Sequence, residues 1–462
     1  MKIPRHIFRE YDVRGVADRD LSDELAYELG CAFAAMLASD RPRPVVAVSR
    51  DGRVSSPRLF DSLVRGLRSG ADVLSIGIGP SPQLYFAAHH LGTDGAVMIT
   101  GSHNPAPDNG FKMMRGKSSF FGPDIQRLAE RMEASDGSAR ELRGALSEVD
   151  VSDAYVDKLR ASSRLTDAAR RVPFVVDAGN GAAGPLATKV FTALGLTFDP
   201  MFCAIDGTFP NHHPDPTVPK NLDALRERVL STKAPFGVAF DGDGDRLGAI
   251  DENGDIVWGD KLMILYAREV LRENPGATIL GEVKCSETLF DDVRKHGGRA
   301  LYAKTGHSLI KTRMKEEHAL LAGEMSGHLF FADRFLGFDD ATYAALRLLE
   351  IVAASGKRMS ELLADVPRTF ATPELRFDCP DALKFDVVAR VREHFKALYP
   401  VLELDGARVD FGDGAWGLCR ASNTQPILVL RFEAKTEARA NELRAEVEAV
   451  ADRALAELKT RA

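Results

Sequence analysis

Three aspartates alternate with glycines in the segment Asp241-Gly-Asp243-Gly-Asp245-Arg246, directly after the apolar run 236–240. Neighbouring carboxylates repel each other, since two unit charges about 4 Å apart cost about 4 kcal/mol at an effective dielectric of 20. A divalent cation removes that repulsion, and hard oxygen ligands favour Mg²⁺ or Ca²⁺ over softer metals. The spacing therefore predicts a metal site, and we prefer Mg²⁺ because it keeps coordination positions for a phosphate oxygen and water.

Two other interpretations of this loop remain open. A calcium-binding EF-hand is suggested by Glu252 at position twelve counted from Asp241, but position six is Arg246, where the turn requires glycine. The segments on both sides also have the composition of strands rather than helices. The second interpretation is an acidic turn that faces solvent, which we disfavour because three aspartates at the end of a buried strand are costly.

A second polar loop, Thr100-Gly101-Ser102-His103-Asn104-Pro105, follows the apolar run that ends at Ile99. Glycine and proline favour a rigid turn in which the small side chains leave Ser102 accessible. The hydrolase pattern G-x-S-x-G is absent. Adjacent side chains usually diverge, so we expect His103 to be a structural hydrogen-bonding residue rather than a base for Ser102. Alone, the loop is ordinary polar surface, and the metal loop is what makes Ser102 a candidate nucleophile.

Four loops occur in an order that resembles the signature loops of the α-D-phosphohexomutases, namely TGSHNP, DGDGDR, GEMSGH at 323–328 and RASNTQP at 420–426. Within that family the set is most similar to the bacterial phosphomannomutase/phosphoglucomutase group. The matching positions run from Tyr11 to Pro426, which is nearly the whole chain. Any one loop is modest evidence, whereas four different loops in the same order are specific.

The resemblance implies a role for each matching position. Ser102 corresponds to the phosphoserine, and its phosphate completes a metal site made by Asp241, Asp243 and Asp245. The catalytic group implied in this way also includes Lys112, Arg246, His307 and His328. The substrate-binding positions are Tyr11, Arg14, Lys284, Glu324, Ser326, Arg420, Ser422, Asn423 and Thr424. The chemistry is consistent with these roles, because guanidinium groups bind phosphate bidentately and phosphoryl transfer needs mainly positioning and charge neutralisation.

The implied activity is that of an isomerase, which moves a phosphoryl group reversibly between hexose 6-phosphate and hexose 1-phosphate of glucose or mannose. The implied cofactors are Mg²⁺ and glucose or mannose 1,6-bisphosphate as activator and intermediate. One alternative is a phosphoglucosamine mutase, although the amino-sugar enzymes typically have glutamine at the position of Met325. A second alternative, from another class, is a non-catalytic protein that binds divalent cations or phosphate.

The elements that must position these loops follow a repeated pattern. Short β-branched runs end in Gly, Asp or Ser at 43–53, 94–105, 172–184, 235–246 and 277–286, with stretches of helical period between them. Strands that alternate with helices predict α/β layers, in which ligands bind at the C-terminal ends of the strands. Beyond 373 the pattern changes to strand-like runs at 401–404, 407–411 and 427–432, followed by one long helix.

We therefore predict three similar mixed-sheet α/β domains and a C-terminal α+β domain around a central cleft. The predicted boundaries are 1–148 with the serine loop, 149–254 with the metal loop, 255–367 with the sugar loop and 368–462 with the phosphate-binding loop. Motion of the last domain about the segment 366–373 is expected during the reaction, because water must be excluded for transfer and admitted for release.

Composition limits the partners. The 462 residues carry 60 Lys and Arg against 67 Asp and Glu, a net charge of −7, with no basic stripe that would bind nucleic acid. Five cysteines at unpaired spacings indicate neither a zinc site nor a disulfide framework. The charged N-terminus does not resemble a signal peptide, and no early apolar run reaches the ~20 residues of a membrane span. We expect a cytoplasmic monomer whose partners are phosphosugars, without nucleic acid or membrane.

Overall fold

Four separate β-sheets organise the chain. The computed structural model describes residues 2–422 and 425–461. In that part of the chain the sheets contain seven, five, four and six strands. The predicted class of three mixed-sheet α/β domains and a C-terminal α+β domain is confirmed. We refer to the first to fourth domains by these sheets, and the predicted residue boundaries between them stay a prediction.

The first domain positions the serine loop between two central strands. Its sheet has the order β1-β5-β4-β2-β3-β7, with β6 added beside β5. The strands are β1 (Val13–Val16), β2 (Val45–Arg50), β3 (Asp72–Ile78), β4 (Gly95–Ile99), β5 (Asp108–Arg115), β6 (Ser118–Phe120) and β7 (Leu146–Glu148). The helices are α1 (Ala17–Asp20), α2 (Asp23–Leu37), α3 (Ser56–Leu67), α4 (Ser81–Leu91) and α5 (Pro123–Glu133), after a 3-10 turn at Arg5–Ile7. Every residue of β4 is buried, as its apolar sequence predicts.

The second domain carries the metal loop in the turn of an antiparallel hairpin. Its strands are β8 (Phe174–Asp177), β9 (Phe198–Met201), β10 (Phe236–Phe240), β11 (Leu247–Asp251) and β12 (Ile256–Val257). Its helices are α6 (Ser152–Ser162), α7 (Asp167–Arg170), α8 (Gly184–Ala193) and α9 (Asp223–Thr232), with a 3-10 turn at Pro219–Leu222. The acidic loop lies between β10 and β11, which pair in antiparallel register from Phe236↔Asp251 to Phe240↔Leu247. The strands on both sides of the loop exclude the EF-hand interpretation.

The third domain supplies the sugar loop between two short strands. Its strands are β13 (Thr278–Glu282), β14 (Arg299–Ala303), β15 (Leu321–Gly323) and β16 (Leu329–Phe331). Its helices are α10 (Gly259–Glu273), α11 (Glu287–Lys295), α12 (His307–Glu316) and α13 (Ala341–Ser355), followed by a 3-10 turn at Met359–Glu361. β13 pairs in parallel with β14 and β15, so the polar residues after these strands meet at one edge of the sheet.

The fourth domain is antiparallel and is covered by two helices. Its strands are β17 (Phe370–Ala371), β18 (Leu375–Asp378), β19 (Val401–Leu402), β20 (Ala407–Gly412), β21 (Ala415–Ala421) and β22 (Ile427–Ala434), and its helices are α14 (Lys384–Lys396) and α15 (Glu437–Arg461). The three predicted strand runs and the terminal helix are confirmed. The strand β21 was not predicted, because its sequence AWGLCRA contains no β-branched residue and includes a glycine and an arginine.

The hydrophobic core is unevenly shared. One cluster of buried residues joins the first three domains and includes Tyr85 of α4, Phe174 of β8 and Tyr266 of α10. The fourth domain has its own cluster, and a small group that contains Val283 and Trp416 connects it to the third. Among the described residues, no helix is both long enough and apolar enough to cross a bilayer. The fourth domain is therefore the part of the molecule with the smallest apolar attachment.

Candidate active site

The serine loop connects β4 to β5 and buries its serine. Ser102 is 2 % exposed, and its backbone adopts a left-handed conformation with φ of 49°. The Ser102 amide donates to Thr100 Oγ1 at 2.8 Å, which fixes the start of the turn. The Ser102 hydroxyl donates to Asp241 Oδ2 at 3.0 Å, although the two residues are 139 positions apart. The predicted convergence of the serine and the acidic loop is therefore present.

His103 lies closer to Ser102 than adjacent side chains usually do. Its Nδ1 is 3.3 Å from Ser102 Oγ, so the expectation that the two side chains diverge is wrong. The left-handed backbone at Ser102 turns both side chains to the same side of the loop. Burial lowers the pKa of His103 well below its ordinary value, with the positive charges of Arg246 and Arg14 adding to the effect.

The acidic triad is completely buried at the tip of the β10–β11 hairpin. One ligand oxygen from each of Asp241, Asp243 and Asp245 lies within 4.8 Å of the others, and all three residues are 0 % exposed. Asp241 Oδ1 accepts the amide hydrogens of Asp245 and Arg246 at 3.1 Å, so the hairpin turn itself orients this carboxylate. The interpretation as an acidic turn that faces solvent is wrong, because none of the three side chains reaches the surface.

Two oxygens of the triad have the properties of free metal ligands. Asp243 Oδ1 and Asp245 Oδ1 are buried and have no hydrogen-bond partner in the described part of the chain. Their second oxygens each accept from Lys112 Nζ at 2.6 Å, and Ser81 also donates to Asp243. Buried, unpartnered carboxylate oxygens are costly unless a cation binds them. The residues present therefore fit a hard divalent cation.

Electrostatics lead to the same conclusion. Burial raises the pKa of Asp241 well above its ordinary value, and the charges of Asp245 and Asp243 raise it further. Burial also raises the pKa of Asp245, again with a contribution from Asp243. Burial opposes the charge on Lys112, but Asp243 and Asp245 raise the pKa of its ammonium well above the ordinary value. Lys112 and Arg246 carry two positive charges against three carboxylates, so a divalent cation would complete the neutralisation of the loop.

A chain of polar contacts continues from the metal loop into the third domain. Arg246 Nε donates to His328 Nε2 at 2.9 Å, and His328 Nδ1 donates to Asp339 Oδ2 at 2.9 Å. Both ring nitrogens of His328 are therefore engaged, with the proton on Nδ1. The His307 ring stacks on His328 at a centroid distance of 5.6 Å. By contrast, His307 Nδ1 is buried with no hydrogen-bond partner among the described residues.

Glu324 is held by backbone and side-chain donors. Its Oε1 accepts the Gly306 amide at 3.0 Å, and its Oε2 accepts the Ser326 hydroxyl at 3.0 Å. Gly327 has φ of 95°, and a Cβ at that position would lie 2.4 Å from the Leu247 carbonyl oxygen. The sugar loop thus packs directly against β11, and glycine is required where the two backbones meet.

Residues of the first, third and fourth domains meet at the other end of the site. Tyr11 Oη donates to the Thr305 carbonyl at 2.6 Å, and the Thr305 amide donates to Asp405 Oδ2 at 3.0 Å. The same Asp405 oxygen accepts from Arg420 Nε at 3.0 Å. Lys284 Nζ donates to Glu374 Oε2 at 3.1 Å, which is a second contact between the third and fourth domains.

The remaining predicted residues lie next to these groups. Arg14 donates to Asn104 Oδ1 at 3.0 Å and to Asp12 Oδ2 at 2.6 Å, so it contacts the serine loop. The Ser422 carbonyl accepts from Lys384 Nζ at 2.6 Å at the start of the phosphate-binding loop. The predicted residues Asn423 and Thr424 lie outside the described residues. Ser102, Lys112 and the triad form one end of the site, whereas Tyr11, Lys284 and Arg420 form the other.

Several residues of the site were not identified from the sequence, namely Arg53, Ser81, Glu282, Lys384 and Asp405. Glu282 is fully buried beside the sugar loop, where burial, opposed by Lys284, raises its pKa to about 7. Two of these residues could have been found, because Arg53 and Glu282 lie in polar segments that follow predicted strands. The others carry no local signal, since they reach the site only through the packing of separate domains.

Comparison with known proteins agrees with this geometry. Family models described as phosphoglucomutase/phosphomannomutase α/β/α domains I, II and III match residues 5–138, 153–254 and 258–370. The C-terminal domain model of the same family matches residues 374–450. These four matches follow one another along the chain in the same order as the four sheets.

Full-length relatives give the same result. A phosphomannomutase/phosphoglucomutase of Pseudomonas putida is 45 % identical over 94 % of this chain and 93 % of its own length. A phosphoglucomutase of Neisseria gonorrhoeae is 44 % identical, with 94 % of each chain covered. The solved structure of a phosphoglucomutase/phosphomannomutase family protein from Burkholderia thailandensis has a TM-score of 0.90 and 42 % identity, and the match covers 98 % of both chains.

Three α/β domains and a C-terminal α+β domain that bring a buried serine against an acidic triad define the class of α-D-phosphohexomutases. The chain belongs to the phosphoglucomutase/phosphomannomutase family. As an enzyme of that family it is not the non-catalytic binding protein considered above.

Proposed function

We propose that this hexose phosphate mutase carries its phosphoryl group on Ser102 and interconverts the 6-phosphates and 1-phosphates of glucose and mannose. The observation that carries the proposal is the 3.0 Å contact between Ser102 Oγ and Asp241 Oδ2, next to the two unpartnered oxygens of Asp243 and Asp245. A nucleophile and a cation site in contact are what phosphoryl transfer requires.

In the first half of the proposed reaction, the bond between phosphorus and Ser102 Oγ breaks as a bond forms from phosphorus to the free hydroxyl oxygen of the substrate. The hydroxyl proton passes to a base, and the product of this step is a 1,6-bisphosphate. After the bisphosphate turns around, Ser102 Oγ accepts its other phosphoryl group. Because each half is the reverse of the other with the sugar turned, one site serves both transfers.

The triad is proposed to hold Mg²⁺, which when bound supplies positive charge beside the oxygens of the transferring group. Lys112 lies between Asp243 and Asp245 and adds a second positive charge at the same place. Arg246 Nε is 4.0 Å from Asp241 Oδ2, and its hydrogen bond to His328 fixes the guanidinium in this position. These groups neutralise the charge that spreads over the phosphoryl oxygens during transfer.

Of the two predicted histidines, His307 is the one we propose as proton acceptor. Both nitrogens of His328 are used by Arg246 and Asp339, so its contribution is to orient the arginine. His307 Nδ1 has no hydrogen-bond partner in the part of the chain that the structure describes, and burial lowers the pKa of this imidazole well below the ordinary value. A neutral imidazole with a free nitrogen can take a hydroxyl proton.

Substrate recognition is proposed to occur at the opposite end of the site. Because Ser326 donates its own proton to Glu324, both the Glu324 carboxylate and the Ser326 oxygen would act as acceptors for a pair of sugar hydroxyls. Arg420, Lys284 and the loop from Ser422 to Thr424 are proposed to supply the positive and polar groups for the phosphate that is not being transferred, with Tyr11 on the same side of the site. Arg14, which contacts Asn104 of the serine loop, would bind substrate at the other end. A single cradle must accept either phosphate of the bisphosphate, and it can do so because the two phosphate groups present the same charge and the same oxygens to Arg420 and Lys284.

The experiment that tests this function is phosphoryl labelling. Protein incubated with glucose 1,6-bisphosphate is digested, and the peptide that contains Ser102 is examined by mass spectrometry. We expect one phosphoryl group on Ser102, loss of nearly all turnover in Ser102→Ala, and wild-type turnover in Ser138→Ala, which changes an exposed loop serine. Turnover at the wild-type rate in Ser102→Ala would refute the serine carrier. Rates on glucose, mannose and glucosamine 6-phosphates in the same assay distinguish the proposed substrates from the amino sugar.

A further inference from the structure

Arg53 is a fully buried arginine whose role the reaction scheme above does not include. Its side chain is 1 % exposed, and it lies in the polar segment between β2 and α3. Burial lowers the pKa of its guanidinium, and the charge of Asp51 opposes this effect. A charged group is expensive to bury, so its presence here requires strong compensating contacts.

The compensating contacts come almost entirely from the backbone of the serine loop. Arg53 Nη2 donates to the carbonyl oxygens of Ser102 at 2.6 Å and Asn104 at 2.7 Å. Arg53 Nη1 donates to the carbonyl oxygens of Pro105 at 2.6 Å and Asp108 at 2.9 Å. Arg53 Nε donates to Asp51 Oδ2 at 3.1 Å. All five N–H donors of the guanidinium are thus used, four of them on carbonyls between residues 102 and 108.

The sequence of the serine loop is adapted to this arrangement. A Cβ at Gly101 would lie 2.6 Å from Arg53 Cζ, so glycine at that position lets the backbone pass the guanidinium. The next residue, Ser102, has the left-handed φ of 49°, a conformation that is unfavourable for a residue other than glycine. The hydrogen bond from Arg53 to the Ser102 carbonyl oxygen stabilises this backbone conformation of Ser102.

Arg53 is itself held rigidly. Asp51 Oδ1 accepts the Arg53 amide at 3.0 Å and the Ser56 hydroxyl at 2.6 Å, while Asp51 Oδ2 also accepts from Thr100 Oγ1 at 2.7 Å. The Phe209 ring of the second domain stacks over the guanidinium, 5.2 Å from its centroid to Cζ. The arginine therefore connects the serine loop to α3 and to the domain that carries the metal loop.

We infer that Arg53 is a positioning residue for the transfer reaction: by binding four carbonyls it fixes the serine loop so that Ser102 Oγ stays against the acidic triad in both half-reactions. This inference rests on the proposed role of Ser102. All five guanidinium donors of Arg53 bind oxygens of the protein, and none of them binds Ser102 Oγ, so no donor is left for a substrate. Its effect belongs to the rate of transfer rather than to substrate affinity, because misplacement of a reacting atom by about 1 Å costs about 100-fold in rate.

The test compares Arg53→Lys with Arg58→Lys. Lysine keeps the positive charge but has three donors on one atom, so it does not reach four carbonyls. Arg58 is the matched control, since it also donates to two backbone carbonyls in the first domain, of Leu21 and Ala17, but lies partly exposed and away from the site. For Arg53→Lys we expect kcat to fall about 100-fold with KM changed less than about two-fold, and Ser102 labelling by glucose 1,6-bisphosphate to slow in proportion. The control keeps wild-type values.

Two further variants separate positioning from folding. Gly101→Ala keeps Arg53 but displaces its guanidinium, and we expect it to lower kcat in the same way. Arg53→Ala should regain part of its rate when guanidinium ion is added at low concentration, whereas Ser102→Ala should not. All rates are expressed per folded molecule, from thermal unfolding measured on each sample.

The outcomes are distinguishable. Wild-type kcat per folded molecule in Arg53→Lys overturns the positioning role, as does a loss that falls on KM instead of kcat. If the wild-type protein acquires no label on Ser102, the serine carrier is refuted and this inference falls with it. A labelled wild-type serine together with an unaffected Arg53→Lys refutes positioning alone.

Discussion

At the scale of single residues, the site depends on carboxylate oxygens that the fold leaves unpartnered. Asp243 and Asp245 each accept from Lys112 with one oxygen, and the other oxygen is buried without a hydrogen bond to any of the described residues. The same separation of roles occurs between two stacked histidines, since His328 is fully engaged and His307 has a free nitrogen. Two side chains of the same type can therefore have different functions, depending on what the second carboxylate oxygen or the second ring nitrogen contacts.

The first prediction concerns the cation. Mg²⁺ at about 100 times its Kd should stabilise the wild-type protein by about 2.7 kcal/mol, because it binds only the folded state. Asp243→Asn removes one charged ligand, so we expect most of this stabilisation and most of the turnover to be lost. Thermal unfolding with and without Mg²⁺ after treatment with EDTA measures the effect. Asp413→Asn, at an exposed ion pair with Lys435, is the control, and an equal Mg²⁺ response in Asp243→Asn would contradict the assignment.

At the scale of elements, loops are positioned where backbones from different strands touch. The sugar loop meets β11 at Gly327, and the metal loop meets the serine loop at Gly242, where a Cβ would lie 2.4 Å from the Ser102 carbonyl oxygen. Both are close approaches between segments far apart in sequence. The relative placement of the loops is therefore set by contacts that have no room for a side chain.

The second prediction tests one of these contacts. Gly327→Ala places a methyl group against the Leu247 carbonyl, and we expect kcat/KM to fall about 100-fold as the sugar loop shifts. Gly276→Ala is the matched control, because its φ of 80° is also left-handed but a Cβ there has nothing within 4 Å. Both variants carry the backbone strain, so only a difference in steady-state kinetics between them reports the clash. Equal activity in the two variants would show that the loop contact is unimportant.

The third prediction concerns the helix α13. The residue before it, Asp340, caps the helix by accepting the Tyr343 amide at 2.9 Å and also accepts the Tyr155 hydroxyl at 2.8 Å, and burial raises the pKa of Asp340 to about 7. In the unfolded chain the pKa of an aspartate is about 3.9, so between these values the folded state holds a proton that the unfolded state has lost. The stability that Asp340 contributes is therefore present at low pH and is lost as pH rises towards 7, by up to about 1.4 kcal/mol per pH unit.

Asp340→Asn and Asp340→Ser both keep a capping oxygen and remove the titration. We expect the free energy of unfolding of each variant to increase relative to that of the wild type as the pH rises from 5 to 8. The variants then become more stable than the wild type by comparison, because only the wild type loses the contribution of Asp340. Urea denaturation at several pH values measures this difference. A difference that does not depend on pH would contradict the assignment.

At the scale of the whole molecule, the first three domains share one core and the fourth is attached mainly by polar contacts. Asp405 of the fourth domain binds both Arg420 and the Thr305 amide of the third, and Glu374 binds Lys284. Breaking a few polar contacts of this kind costs less free energy than separating two domains that share a continuous apolar core. This arrangement supports the expectation that the fourth domain moves about the segment 366–373.

The fourth prediction uses the Thr305 amide to detect that motion. Its hydrogen bond to Asp405 exists only when the fourth domain lies against the third. Glucose 1,6-bisphosphate should favour this closed arrangement and slow hydrogen exchange at Thr305 about 10-fold, while the amide of Leu280 inside β13 serves as the internal reference. Hydrogen-exchange mass spectrometry measures both, and a Thr305 rate unaffected by the ligand would contradict closure.

The sequence by itself determined the class of fold and both chemical loops. Alternating apolar runs and helical periods specify local structure, and the residues of the DGDGDR and TGSHNP loops have chemical properties that do not depend on their neighbours in space. The strand β21 was missed because its residues, Ala415–Ala421, include none of the β-branched types that mark strands.

Only the tertiary structure decided which of these groups contact one another. Lys112 lies between two aspartates, His328 uses both ring nitrogens, and Arg53 binds four carbonyls of the serine loop. Each of these contacts joins residues that are tens to hundreds of positions apart in the sequence. No local pattern encodes such contacts, because they result from the packing of separate sheets. The physical reason is that a side chain's type is fixed by the sequence, whereas its hydrogen-bond partners and burial are fixed by the fold.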